Sequence, residues 1–550
     1  MSNEPTTVNE APQKKGIRWE VFGPTIAILL IAATVGIVNN DWLAASARGI
    51  FYFSLSRFGW LYQLAAFAAV ILTAVVMFTK VGDIRFGGKM AKPKYSFSTW
   101  FAMSLIAGIA VGLINWGINE PIIHFSNMWG ELEGLGITPG TPEAARFAMG
   151  RVVYHWTLFP YAIYALAGLM AAYVFYNQKR ELSVTSTLSP LLGNKITSMP
   201  VTSSIVNSLC VLGIAFGLMG GLGTGLNLVL QGMRINYGVD PGNMAVWIGL
   251  GALVVATFIT SSYTGIDKGI KKLSNLNKYI FYALLLVVIV IGPTGAMLNY
   301  MMEGLNTFFA NFFVWGLDPG TMTHPSQGYW WTLFNWAIWM AYAPIVGIFL
   351  AKVAYGRTIR QFLVVNWIMP SIFGLLWFSI LGGTALHWQI TGVVDMVGTI
   401  ESYGAVAGAW TFYQNLPFNL NLIMAPAVMF VLLLSFSTAA DSITHTIAAL
   451  CMRGSSLSEE PPAWQKVIWG LLIGVIAITL GALAGGTRGI DGVRQLGAVG
   501  GFAVLFVFSL QVLSMFKTFF IDKPTDNFEP TGDRYTDEEF AKLKETQKTS

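Results

Sequence analysis

Aromatic side chains in the middle of an apolar segment are the first residues of this sequence that suggest a binding chemistry. Between Trp331 and Arg357, Trp336, Trp339 and Tyr342 recur every three residues, which places them along one side of a helix. A lipid-facing helix carries its aromatic residues at its ends, not in its middle. A stripe of π faces in apolar surroundings can bind a cation. The alternative is simple packing between helices.

A second aromatic group occurs in the segment RVVYHWTLFPYAIYALAGL. Trp156 and Tyr164 share a helix face with Pro160 at spacings of four, and Tyr161 lies beside that face. The chain therefore has a second aromatic group in the middle of an apolar segment, and both interpretations, a cation cage and packing, apply to it as well.

A glycine-rich segment, AGIAVGLINWGINEP, contains Gly108, Ala110, Gly112 and Gly117. Glycine weakens a helix by about 1 kcal/mol relative to alanine. Such a segment either packs closely against a neighbouring helix or is unwound at a ligand. Unwound helices in membrane carriers expose N–H groups to anionic substrate groups and carbonyls to Na⁺. An acid group bound there and a cation bound by aromatic rings together fit a zwitterion.

Hydroxyl and ionisable residues cluster in SFSTAADSITHTIAALC, which includes Ser435, Thr438 and Asp441. An ionisable residue within a membrane span is a candidate functional residue. The competing interpretation is that the hydroxyls bond to carbonyls of their own helix.

Composition places the chain in the membrane. Of 550 residues, 54% are hydrophobic and only 11% are charged, and the mean hydropathy is +0.58. Soluble proteins have roughly 25% charged residues. The two cysteines lack metal-site spacing, and each of the five scattered histidines is interpreted as a satisfied polar residue. The glycine-rich run from Gly217 lacks the Lys-Ser/Thr of a phosphate-binding loop. The sequence therefore predicts a membrane protein that is not an enzyme and does not bind nucleic acid.

Twelve apolar segments are long enough to cross a bilayer, given that a span needs about 20 residues. The predicted spans are 21–39, 58–79, 99–119, 152–176, 203–232, 243–263, 279–300, 330–351, 363–383, 419–450, 466–485 and 497–516. With this count, 26 of the 33 lysines and arginines fall in segments on one side and seven on the other. The positive-inside rule then predicts that both termini are cytoplasmic.

The chain divides accordingly into a cytoplasmic tail (1–20), a transmembrane domain (21–516) and a second cytoplasmic tail (517–550). The external segment 301–329 contains NTFFANFFVWGL and is predicted to form an amphipathic helix at the membrane interface.

Seven motifs resemble, in order, those of the betaine/carnitine/choline transporters. They are KVGDIRFGG with KPKYSFSTWFAM, AGIAVGLINWGINEP, HWTLFPYAIYALAGLMAAY, SSYTGIDKGIKKLSNLN, WTLFNWAIWMAYAPIVGIFLAKVAYGRTIRQF, WFSILGGTALH and STAADS. The resemblance covers roughly residues 20–520.

The resemblance implies an all-α fold of the LeuT type, with two inverted five-helix repeats (about 99–300 and 330–516) after two N-terminal helices. It also implies a homotrimer in a bacterial plasma (inner) membrane. By position, the onium group of the substrate would lie in a cage of Trp156, Tyr161, Tyr164 and Trp339. Trp336 and Tyr342 would line the path to the cytoplasm. The segment Gly108–Ala110–Gly112 would be unwound and face the substrate.

Sodium is the coupling ion that the resemblance implies, bound by Thr438 with the backbone of Ile106, Ile109 and Ser435. Ala439 stands where the family has a second hydroxyl, so symport and sodium-independent exchange both stay open. Gly112 stands where choline carriers tend to have an acidic residue, which favours a zwitterion.

The predicted function is secondary active transport of glycine betaine or a carnitine-like compound by alternating access. Choline, a sulfonium osmolyte or an amino acid is the alternative cargo. A membrane receptor that does not transport is the alternative from a different class.

Overall fold

Helices account for nearly all of the computed structural model, which describes residues 16–106, 111–193, 196, 199–240, 242–264, 269–318, 327–453, 461–483 and 487–522. The helices are α1 (Trp19–Val38), α2 (Asn40–Phe78), α3 (Phe97–Ile106), α4 (Val111–Phe125), α5 (Pro142–Trp156), α6 (Leu158–Tyr176), α7 (Ser189–Leu192), α8 (Pro200–Tyr237), α9 (Met244–Thr264), α10 (Gly269–Ile291), α11 (Thr294–Ala310), α12 (Phe312–Leu317), α13 (Gln327–Lys352), α14 (Ile359–Leu363), α15 (Met369–Ile390), α16 (Met396–Tyr403), α17 (Gly408–Gln414), α18 (Asn421–Leu450), α19 (Ala463–Leu483) and α20 (Thr487–Phe516). Two short strands, β1 (Gly16–Ile17) and β2 (Met452–Arg453), pair antiparallel.

Eight helices among the described residues are long and apolar enough to cross a membrane, and a ninth span results if one bent pair is counted. Each of the twelve predicted spans overlaps a helical segment, and the prediction of a polytopic membrane protein built almost entirely of helices is confirmed. The number twelve and the inverted repeat stay predictions.

The bent pair corrects the predicted span 279–300. Residues Tyr279–Ile291 and Thr294–Ala310 meet at an angle of 109°. The bend falls at Gly292 and Pro293, and proline cannot continue a helix because it lacks the N–H donor. The second arm and α12 are helical where the sequence predicted an external amphipathic helix.

A break also divides the predicted span 152–176, where α5 ends at Trp156 and α6 begins at Leu158. Pro160 has no N–H to donate to the carbonyl of Trp156, and its ring would crowd that carbonyl. The freed carbonyl points at α15, where a side chain in place of Gly374 would collide with it. The break thus places Trp156 at the end of one helix and Tyr161 in the first turns of the next.

Glycines bring three long helices close together in the core. A Cβ at Gly217 of α8 would lie 2.8 Å from the Tyr342 ring of α13, and one at Gly501 of α20 would collide with the Ala337 carbonyl of α13. Small residues of this kind let helices in membranes approach closely. The glycine-rich run from Gly217, which the sequence excluded as a phosphate-binding loop, is a packing surface.

The connecting segments gather at two ends of the bundle. At one end, the Arg85 guanidinium donates to the Gly356 carbonyl at 2.6 Å, and the Asn177 amide donates to the Arg85 carbonyl at 3.0 Å. Arg18 pairs with Glu181 at 2.5 Å at that end. All of these residues belong to segments that the charge distribution assigned to one side.

Candidate functional site

Trp339 of α13 is surrounded by three aromatic rings from the broken helix α5–α6. Its ring centroid lies 4.6 Å from that of Tyr164, 5.2 Å from that of Tyr161 and 6.3 Å from that of Trp156. The Tyr161 and Trp156 rings stand at 74° to it. The structure therefore brings together the four residues predicted to form the cage, and we use "the aromatic cage" for Trp156, Tyr161, Tyr164 and Trp339.

A fifth ring adjoins the aromatic cage. Phe378 of α15 stacks on Trp156 with a centroid distance of 5.2 Å and an interplanar angle of 30°. The sequence analysis missed this residue, although it lies in the quoted motif WFSILGGTALH. Nothing in the helical spacing of that motif distinguishes Phe378 from its neighbour Trp377, which is fully buried and donates its indole N–H to the Leu113 carbonyl.

Gly112 of α4 contacts the aromatic cage. A Cβ there would lie 2.9 Å from Cη2 of Trp156, closer than real side chains approach one another. Gly117, one further glycine of the same segment, makes room in the same way for the Trp377 indole, whose Nε1 would lie 2.6 Å from an added Cβ. At these two positions the glycines serve close packing, one of the two interpretations that the sequence left open.

The rest of the predicted unwound segment is outside the described residues. Gly108, Ile109 and Ala110 fall within 107–110, between the end of α3 at Ile106 and the start of α4 at Val111. Unwinding at this segment stays a prediction.

Trp336 lies in a different cluster from Trp339, although only three residues separate them. Its indole N–H donates to the Gln63 side chain at 3.1 Å. Its ring stacks on Phe159 at 5.6 Å and meets Tyr154 edge-on at 5.3 Å. These surroundings are those of a packed helix interface, and the role of Trp336 on the path to the cytoplasm stays a prediction.

Tyr342 packs over the glycines of α8, with Gly217 beneath its ring and Gly221 near its hydroxyl. It is partly buried. Its role on the path to the cytoplasm stays a prediction.

The sodium candidate in α18 has its hydroxyl engaged within the helix. Thr438 donates to the Ser435 carbonyl at 3.0 Å, and Ser437 donates to the Leu433 carbonyl at 3.0 Å. A hydroxyl that donates in this way still has lone pairs for a cation. Ile106 is the only other predicted ligand whose backbone is described besides Ser435, so the ion site stays a prediction.

Behind the aromatic cage lies a buried network of charged residues that the sequence analysis did not foresee. It consists of Glu120, His124, Glu131, Arg151 and His155, all of them buried. Glu120 accepts a hydrogen bond from the Trp156 indole at 2.7 Å, and its other oxygen lies 2.7 Å from Nδ1 of His155. The sequence does place Glu120 and His124 four residues apart, on one face of α4.

The outer part of this network joins α4 to α5 and α13. His124 Nδ1 contacts Glu131, and Arg151 lies 3.5 Å from the second oxygen of Glu131. Arg151 donates to the Thr332 hydroxyl at 2.8 Å, which lies 2.9 Å from Nε2 of His155. Burial alone would raise the pKa of Glu131, but the charges of His124 and Arg151 more than offset it and hold that pKa below its usual range.

Glu120, His124 and His155 each offer a metal-ligating atom, and these atoms lie within 4.8 Å of one another. The 2.7 Å separation between Glu120 and His155 is a hydrogen-bond distance, and the second Glu120 oxygen already accepts from Trp156. The residues therefore fit a hydrogen-bonded network better than a metal centre.

Residues 20–524 match the model of the BCCT family, described as betaine/carnitine/choline family transporter. The chain belongs to the betaine/carnitine/choline transporter family. It is thus a membrane transport protein by family, as the ordered motifs indicated.

Relatives within the betaine/carnitine/choline transporters differ in what they carry. The chain is 31% identical to the ectoine/hydroxyectoine transporter of Virgibacillus pantothenticus, in an alignment that covers 87% of this chain and 92% of that protein. It is 33% identical, again over 87% of its length, to 89% of glycine betaine transporter 1 of Vibrio parahaemolyticus. It is 30% identical over 93% of its length to 74% of the high-affinity choline transport protein of Escherichia coli K12.

Proposed function

We propose that this transporter is a secondary carrier that moves a trimethylammonium zwitterion, glycine betaine or a carnitine-like compound, across the bacterial plasma membrane. The aromatic cage is the observation that carries the proposal. Three rings stand around Trp339 within 6.3 Å, and all four side chains are buried. A quaternary ammonium group cannot donate hydrogen bonds, so ring faces are the surfaces suited to it.

A polar group in the same cage supports a zwitterion. The Tyr161 hydroxyl is buried and has no hydrogen-bond partner among the described residues. A buried hydroxyl without a partner costs about 1–3 kcal/mol. In the proposal, the carboxylate of the substrate accepts from this hydroxyl while the ammonium group lies against Trp156 and Trp339.

Ectoine is the second candidate substrate, because the relative from Virgibacillus carries it by name. Its delocalised cation and carboxylate present the same two charges to the same cage. Choline has no carboxylate and would use only the rings. A zwitterionic sulfonium osmolyte or an amino acid carries both charges but lacks the trimethylammonium group.

In the proposal, the carrier works by alternating access and couples transport to Na⁺, and Thr438 is the side-chain ligand of that ion. The repeats would be 99–300 and 330–516, the two tails 1–20 and 517–550 would be cytoplasmic, and the protein would form a homotrimer. Sodium-independent exchange is the alternative, since Ala439 supplies no side-chain oxygen.

The test is uptake of radiolabelled glycine betaine into proteoliposomes, with and without an inward Na⁺ gradient. The proposal expects accumulation that collapses without the gradient. Uptake that requires a substrate loaded inside, and not Na⁺, would establish exchange. A thermal-shift comparison of glycine betaine, carnitine, ectoine, choline and proline on the purified protein ranks the cargo, and a stabilisation by none of the charged compounds contradicts the proposed substrate class.

A further inference from the structure

We propose that Glu120 is a positioning residue of the binding site, which holds the Trp156 indole in place and makes the aromatic cage selective for a positively charged headgroup. The inference rests on the proposed function and adds to it a specificity determinant outside the cage itself.

The hydrogen bond that Trp156 makes differs from those of four other buried tryptophans among the described residues. The Trp156 indole N–H donates to a carboxylate, Glu120 Oε2, at 2.7 Å. Other indoles among the described residues whose acceptors are known donate to uncharged oxygens: Trp336 to the Gln63 side chain, Trp367 to the Leu158 carbonyl, Trp377 to the Leu113 carbonyl and Trp410 to the Leu228 carbonyl. Of these five indoles, the one with a charged acceptor is that of Trp156, which belongs to the aromatic cage.

Both edges of the Trp156 indole are contacted by α4. Gly112 lies against the Cη2 and Cζ3 edge, where an added Cβ would be 2.9 Å and 3.2 Å away. Glu120 binds the N–H at the opposite edge. Residues 112 and 120 are eight apart, which is about two turns along this helix and about 80° around it, so both can reach the same ring. Two contacts of α4 thus help to set the position of the ring, together with Phe378 and Trp339, although Trp156 itself belongs to α5.

The carboxylate is in turn fixed by its second oxygen. Glu120 Oε1 lies 2.7 Å from Nδ1 of His155, and His155 Nε2 lies 2.9 Å from the Thr332 hydroxyl. Tryptophan can only donate, so Glu120 accepts at Oε2. With the proton of His155 on Nδ1, Glu120 accepts at both oxygens, as an ionised carboxylate does.

A charged acceptor affects what the cage binds. Hydrogen bonds to an ionised acceptor are shorter and roughly twice as strong as neutral ones, and in a low-dielectric interior hydrogen-bonded groups polarise one another. Polarisation of the indole N–H by Glu120 increases the electron density of the ring. Attraction between a cation and the ring quadrupole grows with that density. Glu120 therefore favours a cationic headgroup through Trp156 without touching it.

The experiment measures displacement of radiolabelled glycine betaine from the purified full-length protein, with glycine betaine and its uncharged-headgroup isostere 3,3-dimethylbutanoate as competitors. Variants are Glu120→Gln, Trp156→Phe and the double variant, with Glu131→Gln as the matched control. Glu131 is a buried carboxylate of the same network that is not bonded to Trp156. Thermal unfolding reports whether each variant is folded.

We expect Glu120→Gln to weaken glycine betaine binding on the order of tenfold and to leave binding of the isostere within about twofold. We expect Glu131→Gln to change the ratio of the two affinities by less than about twofold. In the Trp156→Phe background, Glu120→Gln should add nothing, because it acts through the indole.

Three results would overturn the inference: an unchanged affinity ratio in folded Glu120→Gln, an equal change in Glu131→Gln, or additive effects of Glu120→Gln and Trp156→Phe. If Glu120→Gln does not fold, Glu120→Asp keeps the charge and withdraws the acceptor from the indole. Wild-type selectivity in that variant also overturns the inference. Failure of the wild-type protein to bind any onium compound is a separate result, which removes the proposed function and this inference with it.

Discussion

Trp336 and Trp339 lie three residues apart on α13, and both are buried, yet their surroundings differ. Trp336 is fully enclosed, stacks on Phe159 and donates its indole N–H to Gln63 of α2. Trp339 meets the ring faces and edges of Tyr161, Tyr164 and Trp156. One tryptophan thus fixes a helix interface, and the other faces a group of rings suited to a cation.

The difference shows that one aromatic stripe can contain both a residue that packs between helices and a residue that faces a group of rings suited to a cation. A helix turns by about 100° per residue, so residues three apart point in directions about 60° different. That angle is enough to give the two rings different neighbours. Trp336 contacts Gln63 of α2 together with Tyr154 and Phe159, whereas Trp339 contacts Trp156, Tyr161 and Tyr164. Four substitutions test this difference.

The largest effect on stability is expected from Trp336→Ala. Removing a fully packed tryptophan leaves a cavity and typically costs about 3–5 kcal/mol, and it also leaves Gln63 without the indole donor. The thermal unfolding midpoint should fall steeply, while the folded fraction should bind substrate with wild-type affinity. Loss of substrate binding with an unchanged thermal unfolding midpoint would instead indicate that Trp336 lines the substrate path.

Trp339→Ala should have the opposite effect, a large loss of substrate affinity with a smaller change in the unfolding midpoint. A desolvated cation–π contact contributes about 2 kcal/mol or more, so the affinity for glycine betaine should fall by about 30-fold. With Trp156→Ala in addition, uptake should be abolished although the protein still reaches the membrane. Binding assays and surface expression measured on the same preparations check this, and normal uptake in the double variant would refute the cage.

Gly112→Ala should disturb the aromatic cage by a smaller amount. The added Cβ would lie 2.9 Å from the Trp156 ring and force it to move, at a cost of about 1–3 kcal/mol. A binding loss of about tenfold is expected, measured by isothermal titration. Gly249→Ala is the matched control, because nothing lies within 4 Å of a Cβ at that position. Equal losses in both variants would point to a general effect of the extra methyl group.

The smallest expected effect is that of Tyr161→Phe. Loss of one hydrogen bond to the substrate carboxylate should weaken glycine betaine binding by about 1 kcal/mol, a few-fold in Kd. Tyr413→Phe serves as the control, since the Tyr413 hydroxyl is also buried without a partner among the described residues but belongs to α17. Unchanged binding with a raised unfolding midpoint would show that the Tyr161 hydroxyl does not meet the substrate.

Sequence reasoning located the four rings of the aromatic cage because aromatic residues in the middle of apolar segments are uncommon and easily seen. It separated Trp339 from Trp336 only by resemblance, since both obey the same spacing. It did not find Phe378, because one aromatic residue beside another in α15 carries no distinguishing pattern.

The buried network was beyond reach for a different reason. His155 and Glu120 are 35 residues apart, and their 2.7 Å contact depends on how α4 packs against α5. Each histidine considered alone was interpreted as a satisfied polar residue, and the network agrees with that reading for His155. The sequence does not show that Glu120, the partner of His155, also binds the indole of Trp156 in the aromatic cage.

The bend within residues 279–300 could have been predicted from the sequence. Gly292 and Pro293 stand together in the sequence and are a strong signal for the end of a helix. Hydropathy averaged over about 20 residues concealed it, because both arms are apolar on at least one face.

The break between α5 and α6 has a mechanical consequence. Trp156 precedes Thr157, and Tyr161 and Tyr164 follow it, so the rings stand on either side of a joint whose main-chain hydrogen bonding Pro160 interrupts. If the aromatic cage binds the proposed substrate, a ligand that contacts rings on both sides would link α5 and α6 across this break. Binding of the substrate would then reduce the motion of α5 relative to α6 without any change in chain connectivity.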